Sequence, residues 1–267
     1  MTAARRRWGQ HFLASDGLAH HAIAWAGLGD ATVVEVGPGR GALTGPLADA
    51  AAELVAVEID PELARKIEER FADRPTVRVV RADALAWIRE GPLPARYDVV
   101  SNLPYESGTA IVSAFVEAER PPRQLVVLLQ REVVERMAAA PGSRRYGRLS
   151  IALQLLADVE PGRIVKPSAF VPPPKVDSRL VRIRVLDRPR HDVGDRDHFR
   201  RVVGVAFAER RKMIRNTLGA WLERERGVES AAALFERCGI DERTRPENVS
   251  VAAFAAVSRA TARVAGA

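Results

Sequence analysis

The residues best suited to chemistry are Asn102-Leu103-Pro104-Tyr105. They follow the apolar run Tyr97–Ser101, which reads as a short buried strand, so they fall where a parallel sheet opens its active site. An exocyclic amine on a nucleobase is a poor nucleophile because its lone pair is delocalised into the ring. The Asn102 side-chain oxygen and a backbone carbonyl beside Pro104 can both accept hydrogen bonds from such an NH2 group. Those bonds favour a more pyramidal nitrogen and aim its lone pair at a methyl donor. Pro104 fixes the local backbone that holds the acceptors. Tyr105 offers a ring on which an extruded base can stack. The plainer alternative is a strand ending in a Pro turn, with Asn present for turn chemistry.

A second set of residues predicts a cofactor site. Glu35-Val36-Gly37-Pro38-Gly39-Arg40-Gly41 joins a first buried strand, Thr32–Gly37, to a first helix, Gly41–Ala51. Glycines at 37 and 39 permit a tight turn and close backbone approach to a ligand. Glu58 closes the second strand, 21 positions after Gly37, where a carboxylate can hold two ribose hydroxyls. Asp83 follows the third strand, placed to accept from an adenine amino group. With Asn102, these are polar groups at four successive strand ends, and they define one crevice. Glu58 and Asp83 could alternatively cap the helices that follow them. The Gly-x-Gly-x-Gly spacing differs from the dinucleotide pattern, and no Walker lysine follows. S-adenosylmethionine fits the set best, and no metal is expected.

The elements that position these groups alternate. Strands are predicted at Leu54–Ile59, Val77–Arg81, Tyr97–Ser101 and Gln124–Leu129, with helices from Pro61 to about Phe71, at Gly108–Glu119 and from Arg131 to Ala140. The pattern predicts an α/β fold with a doubly wound, Rossmann-like parallel sheet. Ser150–Asp158 reads as helix or strand, and Val176–Val185 as a late strand. Residues 187–197 form the candidate linker. Beyond it, His198–Trp221, Ser230–Cys238 and Val251–Ala265 read as helices, with Gly239 a C-cap and Ser250 an N-cap. The expected organisation is a catalytic domain over 1–187 with a basic N-terminal arm, and a small all-helical domain over 188–267.

The 267 residues carry a net charge of +7, distributed as +2 over residues 1–25, zero over 26–187 and +5 over 188–267. A neutral catalytic core between basic ends suits a polyanionic substrate. Candidate RNA contacts are Arg5, Arg6 and Arg7 in the arm, Arg144, Arg145 and Arg148 in the loop Pro141–Arg148, and Arg210, Arg211, Lys212 and Arg215, expected on a helix. An ordinary solvated face is the alternative for this last group. The single cysteine, Cys238, excludes an intramolecular disulfide, and its position in the helical tail suits no base-attacking nucleophile. No apolar stretch approaches the ~20 residues of a membrane span, and no apolar core follows the N-terminal arginines. A cytoplasmic, soluble monomer is expected.

The chain resembles the ribosomal RNA adenine N6-dimethyltransferases, most closely their bacterial small-subunit branch. Beyond the motifs above, the resemblance rests on Gly9–Leu13, Val57–Asp60, Ala82–Ala84, Gln130–Val134, Tyr146–Ser150, Phe170–Ser178 and Ala206–Asn216. It implies that His11 and Leu13 join Gly37, Glu58, Asp83 and Asn102 around the methyl donor, and that Phe170 faces Tyr105 across a flipped adenine. It further implies S-adenosylmethionine-dependent dimethylation of two adjacent adenines in the 3′-terminal hairpin loop of 16S ribosomal RNA, with the small ribosomal subunit as partner. The family usually has Asn where this chain has His11, and Asn-Ile-Ser where it has Glu106-Ser107-Gly108. Two rivals remain: the Erm-type large-subunit enzymes, which share the donor site, and a factor whose main role is binding immature subunits.

Overall fold

The computed structural model describes residues 11–13 and 16–262. Contacts divide the chain into two compact units. One comprises the described residues up to Val134 together with Asp158–Leu186; the other comprises Glu135–Ala157 and the residues from Asp187 onward. The break near 187 falls where the polar stretch begins. Residues 135–157, expected in the first domain, group with the C-terminal helices.

The first unit is built on a sheet of seven strands. In chain order these are β2 (Thr32–Val36), β3 (Glu53–Glu58), β4 (Val77–Arg81), β5 (Tyr97–Asn102), β6 (Gln124–Gln130), β7 (Ala157–Val165) and β9 (Ser178–Val185). Their spatial order is β4-β3-β2-β5-β6-β9-β7. From β4 to β6 neighbours run parallel. Helices α1 (Asp16–Ala26), α2 (Thr44–Ala50), α3 (Pro61–Arg70), α4 (Ala84–Glu90), α5 (Gly108–Glu117) and α6 (Arg131–Met137) lie between or before these strands in the chain. The sheet is mixed, not wholly parallel: β9 runs antiparallel to β6, from Gln124↔Arg184 to Gln130↔Ser178. Ser150–Asp158 resolves into a helix, α7 (Arg148–Leu156), followed by β7, a strand the sequence reading did not separate.

Burial explains the strand sequences. β6 is buried from Gln124 to Leu129, as expected of an inner strand covered on both faces. β4, Val-Arg-Val-Val-Arg, lies at the edge and contains no fully buried residue. A separate pair, β1 (Phe12–Leu13) and β8 (Phe170–Val171), is antiparallel with Leu13 opposite Phe170.

In the second unit, α8 (Arg196–Ala206) and α11 (Val251–Thr261) pack together, burying Val202, Val203, Phe254 and Val257. Ser250 caps α11 by accepting from the Ala253 amide at 3.1 Å. Gly239, with φ +68°, follows the helix α10 (Ala231–Arg237) as expected. The long helix expected over His198–Trp221 does not form. α8 ends at Ala206, residues 207–213 turn, and a π-helical turn, Arg215–Gly219, leads into α9 (Ala220–Arg226).

Candidate active site

The sheet reverses its winding at β2, with β3 and β4 on one side and β5 and β6 on the other. Open α/β sheets place ligands outside the carboxyl ends of strands at such a point. β2 and β5 pair only from Thr32↔Tyr97 to Val34↔Val99, so they part before their carboxyl ends. The Val36 amide, left without a ladder partner, donates to Ser101 Oγ at 2.7 Å. Ser101 is a buried polar residue that the sequence reading missed, although a serine in an apolar strand was a visible signal.

The glycine turn crosses this opening. The Gly37 amide donates to the Val57 carbonyl at 2.8 Å, and the Gly39 amide to Glu58 Oε2 at 3.1 Å. Both glycines have positive φ, +67° and +56°. A Cβ at Gly39 would lie 2.9 Å from the Phe12 ring, so a side chain there would displace the segment bearing His11.

Glu58 is 1% exposed. Its other oxygen, Oε1, accepts from the Asp60 amide at 2.9 Å. These two bonds leave lone pairs on each oxygen, enough to accept from two vicinal hydroxyls. Burial raises its pKa, while the Asp60 and Gly39 amides oppose that shift. Glu58 does not cap the following helix; Asp60 does, through Glu62 and Leu63. Asp83 does cap α4, with Oδ1 accepting from Ala86 at 3.0 Å, and its second oxygen makes no bond in that cap.

Glu35, quoted in the glycine motif but not singled out, is 2% exposed on β2 and lines the same cavity. Among the described residues, neither its Oε2 nor the buried Thr44 hydroxyl has a hydrogen-bond partner. Its pKa is pushed up to about 8, chiefly by burial, with the neighbouring Thr44 hydroxyl pulling it down and the Glu58 charge adding to the rise.

Asn102 ends β5, and its Nδ2 donates to the His11 backbone carbonyl at 3.0 Å. That bond turns Oδ1 into the free end of the amide. His11 Nδ1 donates to the Pro172 carbonyl at 2.8 Å. The His11 ring stands 5.3 Å from the half-buried Tyr105 ring, centroid to centroid. Tyr105 Oη hydrogen-bonds Ser178 Oγ. His11, Leu13, Gly37, Gly39, Glu58, Asp83, Asn102, Pro104 and Tyr105 thus line one cavity of about 320 Å³.

Phe170 does not join them. It is 2% exposed and packs in the core cluster with Leu18, Val165 and Leu180. Burying an aromatic ring in that cluster is favourable, and the β1–β8 pairing holds it there. The ring beside Tyr105 is that of His11; the clamp of Tyr105 and Phe170 across a flipped base stays an expectation.

Of the basic candidates, Arg5, Arg6 and Arg7 lie outside the described residues. Arg144, Arg145 and Arg148 are exposed in the second unit. Arg210, Arg211 and Lys212 lie in the turn after α8, not on a helix. Here the Ala208 amide donates to the Val205 carbonyl at 3.2 Å and the Lys212 amide to the Glu209 carbonyl at 2.9 Å, three-residue bonds that close turns in place of a continued helix. Carboxylates balance several of these charges: Glu209 lies 2.7 Å from Lys212 and Glu242 3.2 Å from Arg215.

A cavity with an acidic residue at the second strand end, a glycine cradle, an unpartnered Glu35 oxygen and a volume within the range of small-molecule sites fits an S-adenosylmethionine-sized nucleoside. Sheet and crevice together define a Rossmann-like methyltransferase. The family described as "Ribosomal RNA adenine dimethylase" matches residues 1–263. The small-subunit ribosomal RNA methyltransferase A of Geobacter sulfurreducens is 41% identical over 266 residues, covering 96% of this chain and 94% of its own. That of Alcanivorax borkumensis is 40% identical, covering 95% and 89%. The crystal structure of the 23S ribosomal RNA methyltransferase ErmE superposes with a TM-score of 0.73 at 26% identity, over 94% of this chain and 99% of that one. A dimethyladenosine transferase structure from Plasmodium falciparum has the same fold, with a TM-score of 0.80 at 22% identity over 92% and 96%. The chain belongs to the ribosomal RNA adenine dimethylase family.

Proposed function

We propose that this chain dimethylates N6 of two adjacent adenines in the 3′-terminal hairpin loop of small-subunit ribosomal RNA, with S-adenosylmethionine as donor. The observation that carries the chemistry is the Asn102 amide at the cavity wall, tied to His11 by its NH2 end, which leaves its oxygen free. Relatives near 40% identity over most of their length, named for the small subunit, favour that substrate over the large one.

S-adenosylmethionine supplies an electrophilic sulfonium methyl. Glu58 holds its ribose, Asp83 its adenine amino group, and Gly37, Gly39, Leu13 and His11 wall the site. The substrate adenine, drawn out of its strand, stacks on Tyr105. Its amine donates to Asn102 Oδ1 and to the Leu103 carbonyl, whose position Pro104 fixes. These acceptors localise the nitrogen lone pair and point it into the crevice. After the first transfer the nitrogen still carries one hydrogen for either acceptor, so the same groups serve the second. Tyr105 stays a neutral hydroxyl, since burial raises its pKa, and its bond to Ser178 sets the ring plane.

The test incubates the purified chain and labelled donor with separated small and large subunits from cells lacking the modification. Label recovered as dimethyladenosine from the small-subunit RNA is expected. Label in the large-subunit RNA would assign the Erm-type activity instead. No label in either, with immature small subunits still bound, would leave an assembly factor.

A further inference from the structure

Glu35 takes no part in the reaction described above, yet it lines the same cavity as Glu58 and Asn102 and is 2% exposed. Its Oε2 and the neighbouring Thr44 hydroxyl are buried without a partner among the described residues. The charged neighbour that acts on it is Glu58, of its own sign. An ionised carboxylate buried in this way is costly unless a cation or hydrogen-bond donors meet it. Glu58 has such donors, the Gly39 and Asp60 amides. Of the two carboxylates, Glu35 is therefore the one that keeps its proton in the free protein, and burial pushes its pKa up to about 8.

Strand order places Glu35 along the length of the donor. Across the crevice the strands run β4, β3, β2, β5. Asp83 follows β4, Glu58 ends β3, Glu35 is the penultimate residue of β2, opposite Ala56 of β3, and Asn102 ends β5. With the adenine at Asp83, the ribose at Glu58 and the methyl acceptor at Asn102, the part of the donor that crosses β2 is its methionine end. That end carries both of the donor's positive charges, the sulfonium and the ammonium.

We propose that Glu35 is a proton-exchanging counter-ion for the donor: neutral in the free protein, it ionises against the cationic methionine end of S-adenosylmethionine and gives its proton to solvent as the donor binds. The proposal rests on the donor site assigned above and adds a charge balance to it. The carboxyl O–H bond is the one that breaks, its electron pair stays on Glu35, and the proton returns when the site is vacated. The other ionisable groups lining the cavity are His11, Arg40, Glu58, Asp83, Tyr105 and Glu106. Glu35→Gln keeps the side-chain shape and removes the Glu35 proton alone.

The test is calorimetry of donor binding to the full chain, without RNA, in two buffers of different ionisation enthalpy. Near pH 7 wild type should release roughly one proton more than Glu35→Gln. The donor's own amine titrates alike with both proteins and cancels in this difference. Wild-type affinity should rise by up to ~10-fold per pH unit below about 8, and that of Glu35→Gln far less. Adenosine, which has the base and ribose without a cation, should release the same number of protons from both proteins. S-adenosylhomocysteine keeps the ammonium but lacks the sulfonium charge. The full difference with it would make the ammonium the counter-charge and no difference would make it the sulfonium, each upholding the proposal. Equal proton release by wild type and Glu35→Gln on binding S-adenosylmethionine would overturn it. If the variant does not fold, wild type decides alone: release with S-adenosylmethionine no greater than with adenosine overturns it. A wild-type chain that binds no S-adenosylmethionine would overturn the donor site itself, whereas binding without the proton difference overturns only the counter-ion.

Discussion

Asn102 and His11, 91 positions apart, are joined by a hydrogen bond from the Asn102 side-chain amide to the His11 backbone carbonyl. The end of a central strand thereby fastens the N-terminal segment across the mouth of the crevice. The bond also leaves Oδ1 as the free end of the Asn102 amide.

Replacing Asn102 by Ala should lower single-turnover methylation by roughly 10²–10³, the usual loss for one positioned polar group acting on the transition state. Asn102→Asp keeps an acceptor but loses the donor to His11, so it should weaken donor binding as well. Turnover near wild type in Asn102→Ala would remove this residue from the reaction.

Glu58→Ala should weaken S-adenosylmethionine far more than it weakens small-subunit binding. It removes the proposed acceptor for the ribose and also leaves the Gly39 amide without its partner. Calorimetry with donor alone, then with subunits, separates the two effects. An unchanged donor affinity would place the ribose elsewhere.

Glu35 carries a pH dependence. Its folded pKa of about 8 lies above the ordinary 4.5. Between these values the folded state binds more protons than the unfolded state, so stability falls as pH rises. The contribution is fully present below about 4.5 and lost as pH passes through about 8. Glu35→Gln should flatten this part of the curve and melt higher than wild type at alkaline pH in the absence of donor. Parallel melting curves for the two proteins from pH 5 to about 8 would contradict the assignment.

Tyr105 and Phe170 should respond differently to truncation. Phe170→Ala empties a buried site and should cost ~3–5 kcal/mol of stability in denaturant unfolding. Tyr105→Ala, at a half-buried rim, should leave stability nearly intact and lose ~1–3 kcal/mol of base stacking. It should therefore slow methylation while donor binding persists. A folded, fully stable Phe170→Ala with impaired methylation would assign Phe170 to the base slot.

The sequence by itself determined the alternation of strands and helices, the glycine turn, and the polar residues Glu58, Asp83 and Asn102 at strand ends. Each of these is a local signal: an apolar run of strand length, a glycine where φ must be positive, a carboxylate that interrupts a buried strand. Tertiary structure decided what local signals do not encode. The antiparallel entry of β9 and the grouping of residues 135–157 with the tail depend on contacts between distant segments. A Phe beside a Pro-rich run reads alike whether its ring faces a ligand or a core; the pairing of Phe170 with Leu13 and its packing on Leu18 are contacts between distant segments. The Arg210–Arg215 stretch falls within the helix expected over His198–Trp221, yet the chain turns over residues 207–213. Arg215 and the Ile214 amide are instead tied to Glu242 and the Thr244 carbonyl, partners nearly thirty residues away that no helical periodicity reveals.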